Sequence, residues 1–329
     1  MTERNHGTIR RAGTMLVGLA AAGLLIGGTA GASTGAKPAK PVGPKPIVTR
    51  TTHQAAPLVG AALTYGGAKV QVKNTNYVIL WEPPTLQDGS ASFVSPNYNS
   101  LISRYFNDVG GNGLYNNNTQ YYEIVKGKKK AIKNVSTLGG VWTDTSAYPK
   151  NHCNDPYTGA NCVTDQDVTA EVAKAQAANG WKASSNAMFY VFVVKGEGSC
   201  ANIPGVGNLG CSFSSWCGYH YFVGKMMYAN MPYANTVAND CTTRSSFPND
   251  PDADVTLSVV SHEQMEAVTD GYYPNGWNSG SGEIGDLCAY NYGTVSLDGG
   301  KANEQWNGNF YILQQEWSNK QNKCVQSGP

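Results

Sequence analysis

The sequence predicts an α/β (α+β) domain over residues 62–329, a mixed sheet layered with helices and stapled by disulfides. Three observations predict it. Strand-like apolar runs are interleaved with helix-length amphipathic segments, two further strands precede one last long helix, and eight cysteines, an even number, all lie from Cys153 onward.

Taken in order, residues 1–32 read as a secretory signal. Arg10-Arg11 precedes an apolar run from Met15 to Ile26, and Ala30-x-Ala32 supplies small residues for cleavage. The run falls short of the roughly 20 apolar residues that span a bilayer. Residues 33–61 are rich in Pro, Lys, Ala and Gly and read as a flexible tether. Val70-Gln71-Val72 and residues 76–81 are expected as strands, the second nearly all apolar and therefore central. Residues 96–109 carry Tyr98, Leu101, Ile102, Tyr105, Phe106 and Val109 at helical spacing and stop at Gly110-Gly111. Residues 165–178 form a second helix ending at Asn179-Gly180, and 187–194 another buried strand. Residues 219–223 and 225–233 follow as strands, with Pro232 placing the second at an edge. The basic run from Lys126 to Lys133 reads as a solvated hairpin tip.

Composition excludes several functions. Lys and Arg number 24 against 23 Asp and Glu, and only 14% of residues are charged, against about 25% in ordinary globular chains. A nucleic-acid binder needs a concentrated basic face, and none is present, so no nucleic-acid partner is expected. No later segment has membrane-spanning length, so no stable membrane insertion is expected after signal cleavage. The cysteines imply an oxidising compartment, and the protein is expected to be secreted, extracellular or cell-wall associated. Of the 105 ways to pair eight cysteines, Cys153 with Cys162 and Cys288 with Cys324 are the two pairs expected. No CxxC pair is present to favour zinc thiolates.

The chemistry concentrates on the last helix, expected from Asp252 or Asp254 as N-cap to Asp270, with Gly271 as a left-handed stop. At 100° per residue, Val255, Val259, His262 and Glu266 share one face, so His262 and Glu266 can reach one cation together. Val260, Leu257, Met265 and Val268 cover the other sides. The helix should therefore be buried nearly all round, where an imidazole and two carboxylates need compensation. With five histidines and ten glutamates in the chain, chance yields His-Glu-x-x-Glu in roughly 0.5% of such sequences. Gly282-Glu283-Ile284-Gly285-Asp286 then supplies two further acids.

In zinc peptidases with an HExxH helix, two histidines bind the metal, the intervening glutamate is the general base, and a later segment gives a third ligand. This chain resembles that zincin arrangement, with Glu266 where the second histidine would stand. The resemblance implies His262, Glu266 and Glu283 as zinc ligands, Glu263 as general base acting on a metal-bound water, and Asp286 orienting His262. Glu283 and Asp286 are interchangeable in these two roles. His220 is a candidate for polarising a substrate carbonyl or donating to an oxyanion. Calcium is the alternative ion, and the substrate would be a polypeptide or a cell-wall polymer.

The stretch Val259-Val-Ser-His-Glu-Gln-Met-Glu-Ala-Val-Thr-Asp270, with Trp277 and residues 282–288, resembles a signature of secreted bacterial zincin-like proteins. More distantly, residues 77–324 are similar to the plant Exordium or phosphate-induced proteins of the extracellular matrix. That similarity rests on Trp81, Cys217-Gly218-x-His220, Ala267-Val-Thr-Asp270, Gly285-Asp286, Asn307-Gly308 and Cys324. The plant proteins lack the His-Glu-x-x-Glu residues, so this resemblance implies a secreted, wall-associated protein. The competing expectation is accordingly a non-catalytic matrix protein that binds polysaccharide through Trp142, Tyr148, Trp181, Tyr272, Tyr273 and Trp277. A glycosidase using paired carboxylates ranks third, because the histidine has no role there. The bland readings are an i,i+4 surface pair for His262 with Glu266, local turn caps for Glu283 and Asp286, and a satisfied sheet histidine for His220.

Overall fold

The computed structural model describes residues 62–243 and 246–329. The expected signal and tether, residues 1–61, lie outside the described residues. The architecture is mixed α/β. Five strands form the main sheet: β1 (Asn74–Trp81), β2 (Ser136–Asp144), β3 (Ala187–Val193), β4 (Tyr219–Val223) and β5 (Met226–Met231). Their order is β4-β5-β3-β1-β2, with β5, β3, β1 and β2 parallel and β4 antiparallel at one edge. Three long helices, α1 (Tyr98–Asp108), α2 (Asp165–Asn179) and α3 (Pro251–Asp270), cover the sheet.

Side-chain alternation along each strand decides which helix it meets. Val78, Leu80, Met188, Tyr190, Phe192, Met227 and Ala229 join α1 and α3 in one core, whereas Ile79, Trp81, Phe189, Val191 and Tyr228 join α2 on the opposite face. The same alternation separates Tyr219 from its neighbour. Tyr219 packs in the α2 layer, and His220, paired with Ala229, turns toward α3.

Several expectations change. Residues 70–72 form no strand, and β2 was not anticipated because its glycines and alternating exposure dilute the apolar signal. Pro232 lies just beyond β5, so that strand is internal and β4 takes the edge. Asp250, not Asp252 or Asp254, caps α3, accepting from the Asp252 and Ala253 amides ahead of Pro251 in the first turn. Gly271 has φ −57° and is not a left-handed stop. It is small because a side chain there would run into Met227 and the Ala267 carbonyl. The basic run is indeed an exposed hairpin, Tyr122–Val125 with Lys128–Ala131.

All eight cysteines are paired: Cys153 with Cys162, Cys200 with Cys211, Cys217 with Cys241, and Cys288 with Cys324. Among the described residues, no helix is long and apolar enough to cross a membrane.

Candidate metal centre

Helix α3 is buried from Asp252 through Asp270, and its polar residues are held on two sides. On the sheet side, Gln264 donates to Asn74 Oδ1 (2.8 Å), Asn76 Oδ1 (3.2 Å) and Ser136 Oγ (3.1 Å), and accepts from the Tyr105 hydroxyl (2.8 Å). That fixes the rotation of the helix and turns His262, Glu263 and Glu266 toward β4 and the glycine-rich loop at 282–286.

Close packing brings both partners within reach. A Cβ on Gly218 would stand 2.8 Å from Val259 Cγ1, so a glycine there lets the chain entering β4 approach α3. On the loop, a Cβ on Gly285 would lie 2.7–2.9 Å from the His262 ring, so the backbone lies directly against the imidazole. The Asp286 amide donates to Glu266 Oε1 (3.0 Å), and the Glu283 amide to Asp286 Oδ2 (3.1 Å). From below, the Trp317 amide donates to Ile284 O (3.0 Å), and the disulfide from Cys288 to Cys324 ties the loop to the last strand.

Two ligand triplets result. His262, Glu266 and Asp286 present donor atoms within 4.8 Å of one another, as do His220, Glu263 and Glu266. His262 Nε2 stands 3.0 Å from Glu266 Oε1 and 3.8 Å from Asp286 Oδ1. His220 Nδ1 lies 3.1 Å from Glu263 Oε2 and 3.7 Å from Glu266 Oε2, and its Nε2 lies 3.7 Å from Glu283 Oε1. Asp286 thus joins His262 and Glu266, as one alternative for the third ligand had it, whereas Glu283 faces His220 and does not take the place beside His262 Nδ1, which Gln314 occupies. The surface-pair reading of His262 with Glu266 fails, because their side chains are 1% and 4% exposed.

Three residues escaped the sequence reading. Asp270 continues the line of His262 and Glu266 by one more turn, a signal the helical spacing already contained. Its carboxylate accepts from the Gly276 amide and from Asn278 Nδ2. Gln314 Nε2 lies 2.8 Å from His262 Nδ1 and 3.1 Å from Gly285 O. Glu316 is fully buried, and neither carboxylate oxygen has a hydrogen-bond partner. Both arrive from a distant strand region, and no local pattern announces them. As placed, the Gln314 amide donates to Nδ1 and leaves the ring proton on Nε2. Freeing Nε2 for a cation puts the ring proton on Nδ1, which the amide accepts only by turning Oε1 toward it and giving up its bond to Gly285 O.

The electrostatics are lopsided. His220 and His262 share the site with Glu263, Glu266, Asp270, Glu283, Asp286 and Glu316, and no lysine or arginine is buried among the described residues. Burial followed by the Glu266 charge pushes Asp286 up to about 8, and burial raises Asp270 to about 7. Burial and the neighbouring carboxylates hold Glu283 well above the usual carboxylate range, and burial does the same to Glu316. Burial opposes the imidazolium of His262, but the Glu266 carboxylate outweighs it and the net direction is strongly upward. His220 moves upward too, burial being overcome by the hydrogen bond to Glu263 and by its charge. Glu266 goes down, because the histidines outweigh its burial.

No family model, curated protein or solved structure matches the chain. The chemistry is therefore read from the site alone. His220 Nε2, His262 Nε2 and Glu283 Oε1 are buried and make no hydrogen bond. The 3.0 Å approach of His262 to Glu266 is close in distance but misdirected for one. Of these atoms, His262 Nε2 belongs to the His262, Glu266 and Asp286 triplet, and an orphaned imidazole nitrogen beside two acids in a buried site fits a divalent cation, which would satisfy it and offset carboxylate charge.

Proposed function

We propose that this chain is a secreted metal-dependent hydrolase, with a zinc metallopeptidase the activity its residues fit best. His262, Glu266 and Asp286 would hold the ion. The observation carrying this reading is the convergence of His262 Nε2, Glu266 and Asp286 in a site without buried basic side chains. Imidazole nitrogen favours zinc, whereas calcium is taken by six to eight oxygens. When bound, the ion supplies Lewis acidity toward a carbonyl and acidifies water.

The protein's own groups do the rest. Glu263, adjacent to His262 on the helix, is the proton acceptor, and its carboxylate is oriented by the 3.1 Å contact with His220 Nδ1. His220 is thereby a positioning and proton-holding group beside the base. Gln314 and the Gly285 backbone fix the His262 ring. The combination of a metal-ligating helix with an edge strand, β4, parallels the zincin arrangement and supports the resemblance on which the ligand set was expected.

Secretion is supported by the leader-like first 32 residues and by four disulfides. The matrix-protein alternative keeps only part of its aromatic set, since Tyr148, Tyr273 and Trp277 are buried while Trp142, Trp181 and Tyr272 are partly exposed. Tyr148 packs on Trp81 and donates to its carbonyl (2.6 Å), Trp277 packs among Tyr65, Tyr121 and Tyr122, and Trp181 lies on Tyr77. Tyr148 and Trp277 are thereby engaged within the fold instead of being offered to a sugar face.

The test uses the full-length chain with its disulfides formed, assayed on fluorogenic casein and peptide libraries. Cleavage should disappear with 1,10-phenanthroline, return with zinc, and fall about 10²–10⁴-fold in Glu263→Gln. Less than a tenth of an equivalent of zinc after incubation with the metal, or cleavage indifferent to chelation and to Glu263→Gln, would overturn the reading.

A further inference from the structure

The Glu266 carboxylate faces two imidazoles with its two oxygens. Oε1 lies 3.0 Å from His262 Nε2, and Oε2 lies 3.7 Å from His220 Nδ1. We infer that the centre takes two divalent cations, the second held by His220, Glu263 and Glu266, with Glu266 bridging the pair. The inference rests on the reading of the first site as a metal site.

The two halves are built alike. Each imidazole turns one nitrogen toward Glu266 and the other toward an outer partner: His262 Nδ1 meets Gln314 (2.8 Å), and His220 Nε2 faces Glu283 (3.7 Å). A metal-bound histidine characteristically gives its second nitrogen to a carboxylate or amide that fixes the ring. Glu283 stands where such a partner of His220 belongs. Its Oε1 and His220 Nε2 are both buried and lack hydrogen bonds, so the pair is poised for this contact without making it.

A bland reading takes His220 with Glu263 as a finished ion pair. That reading leaves Glu283 Oε1 and His220 Nε2 orphaned, and it leaves a second carboxylate, Glu266, facing the same Nδ1 for no reason. The acid inventory points the same way: six acids line a site that no buried lysine or arginine enters, and each cation that binds favours their ionised, ligating form. The inventory of two imidazoles with bridging and terminal carboxylates suits two-metal centres, in which neighbouring ions share a carboxylate. Loading the second position engages Glu263, so proton acceptance by Glu263 belongs to the singly loaded protein.

The experiment strips the full-length, disulfide-intact chain with chelator and titrates it with zinc against a chromophoric competitor. Two equivalents are expected for the wild type, one for His220→Gln, and one for Asp286→Asn. As a check independent of variant folding, Mn²⁺-loaded wild-type protein should give the exchange-coupled spectrum of a bridged pair. A single equivalent at saturation, with the six-line spectrum of an isolated ion, removes the second site and leaves the first. Two equivalents with that six-line spectrum and no change in His220→Gln place the extra ion elsewhere, for example at His152 with Asp167, and also overturn the inference. No bound metal at all defeats the first-site reading and this one together.

Discussion

Without a cation in the proposed site, folding stability should fall as pH rises, and the size of the effect follows from the buried acids. Asp286 is raised to about 8 and Asp270 to about 7 by burial, whereas both titrate near 3.9 when unfolded. A raised acid means the folded protein keeps protons that the unfolded chain releases. Its stabilising share is complete below about pH 4 and is lost as pH climbs through the folded values. At about 1.4 kcal/mol per pH unit, Asp286 alone costs about 3 kcal/mol between pH 5 and pH 7. With Asp270 titrating in concert, the total reaches about 3–5 kcal/mol, a lowering of Tm on the order of 10 °C. His220 and His262, both raised, act in the same direction. Glu171 and Glu197, far from α3 in the chain and each pushed up to about 8, share this sign but are blind to metal. The diagnostic quantity is thus the difference between zinc-loaded and chelator-treated protein in urea unfolding. It should be near zero at pH 5, where protons compete, and at least about 3 kcal/mol at pH 7.5 with zinc at a hundredfold excess over Kd. A difference that is absent, or equal at both pH values, refutes the argument that these acids are held for a cation.

Three further outcomes are expected. Gly285→Ala should drive a methyl group into the His262 ring, where the nearest atoms lie at 2.7–2.9 Å, and lower zinc affinity at least tenfold with an unchanged far-UV spectrum, measured by chelator competition. Gln314→Leu removes the partner of His262 Nδ1 and should weaken zinc binding about 10–100-fold by the same assay; full affinity would deny Gln314 its orienting role. Replacing Cys288 and Cys324 together by serine opens a closure of 36 residues, which should cost about 4 kcal/mol in urea unfolding and reduce metal affinity as well, since Asp286 lies two residues from the bridge.

Much of the centre was legible because its parts are local. His262, Glu263 and Glu266 sit within one and a half turns, the apolar residues around them announce burial, and the cysteines at 288 and 324 hint that the loop is tied down. Asp270 was equally legible, one turn further along the same line, but its position at the helix end suggested only a boundary. Gln314 and Glu316 were not legible. They come from a C-terminal segment brought under the loop by the Trp317 to Ile284 hydrogen bond, and tertiary pairing of that kind leaves no periodic trace. The edge assignment failed for a related reason. Pro232 forbids pairing only where it stands, and β5 ends at Met231 before the proline matters. For β2, the pair Gly139-Gly140 obscures the pattern because both positions lie against side chains, Tyr77 and Trp181 respectively, where a Cβ would not fit.

The most direct measurement is a crystal structure of the zinc-soaked protein with anomalous data collected at the zinc edge. The account predicts a peak about 2.0–2.2 Å from His262 Nε2 and from carboxylate oxygens of Glu266 and Asp286. Zinc bound only at surface groups, with His262 Nε2 still 3.0 Å from Glu266 and no ion beside them, would contradict it.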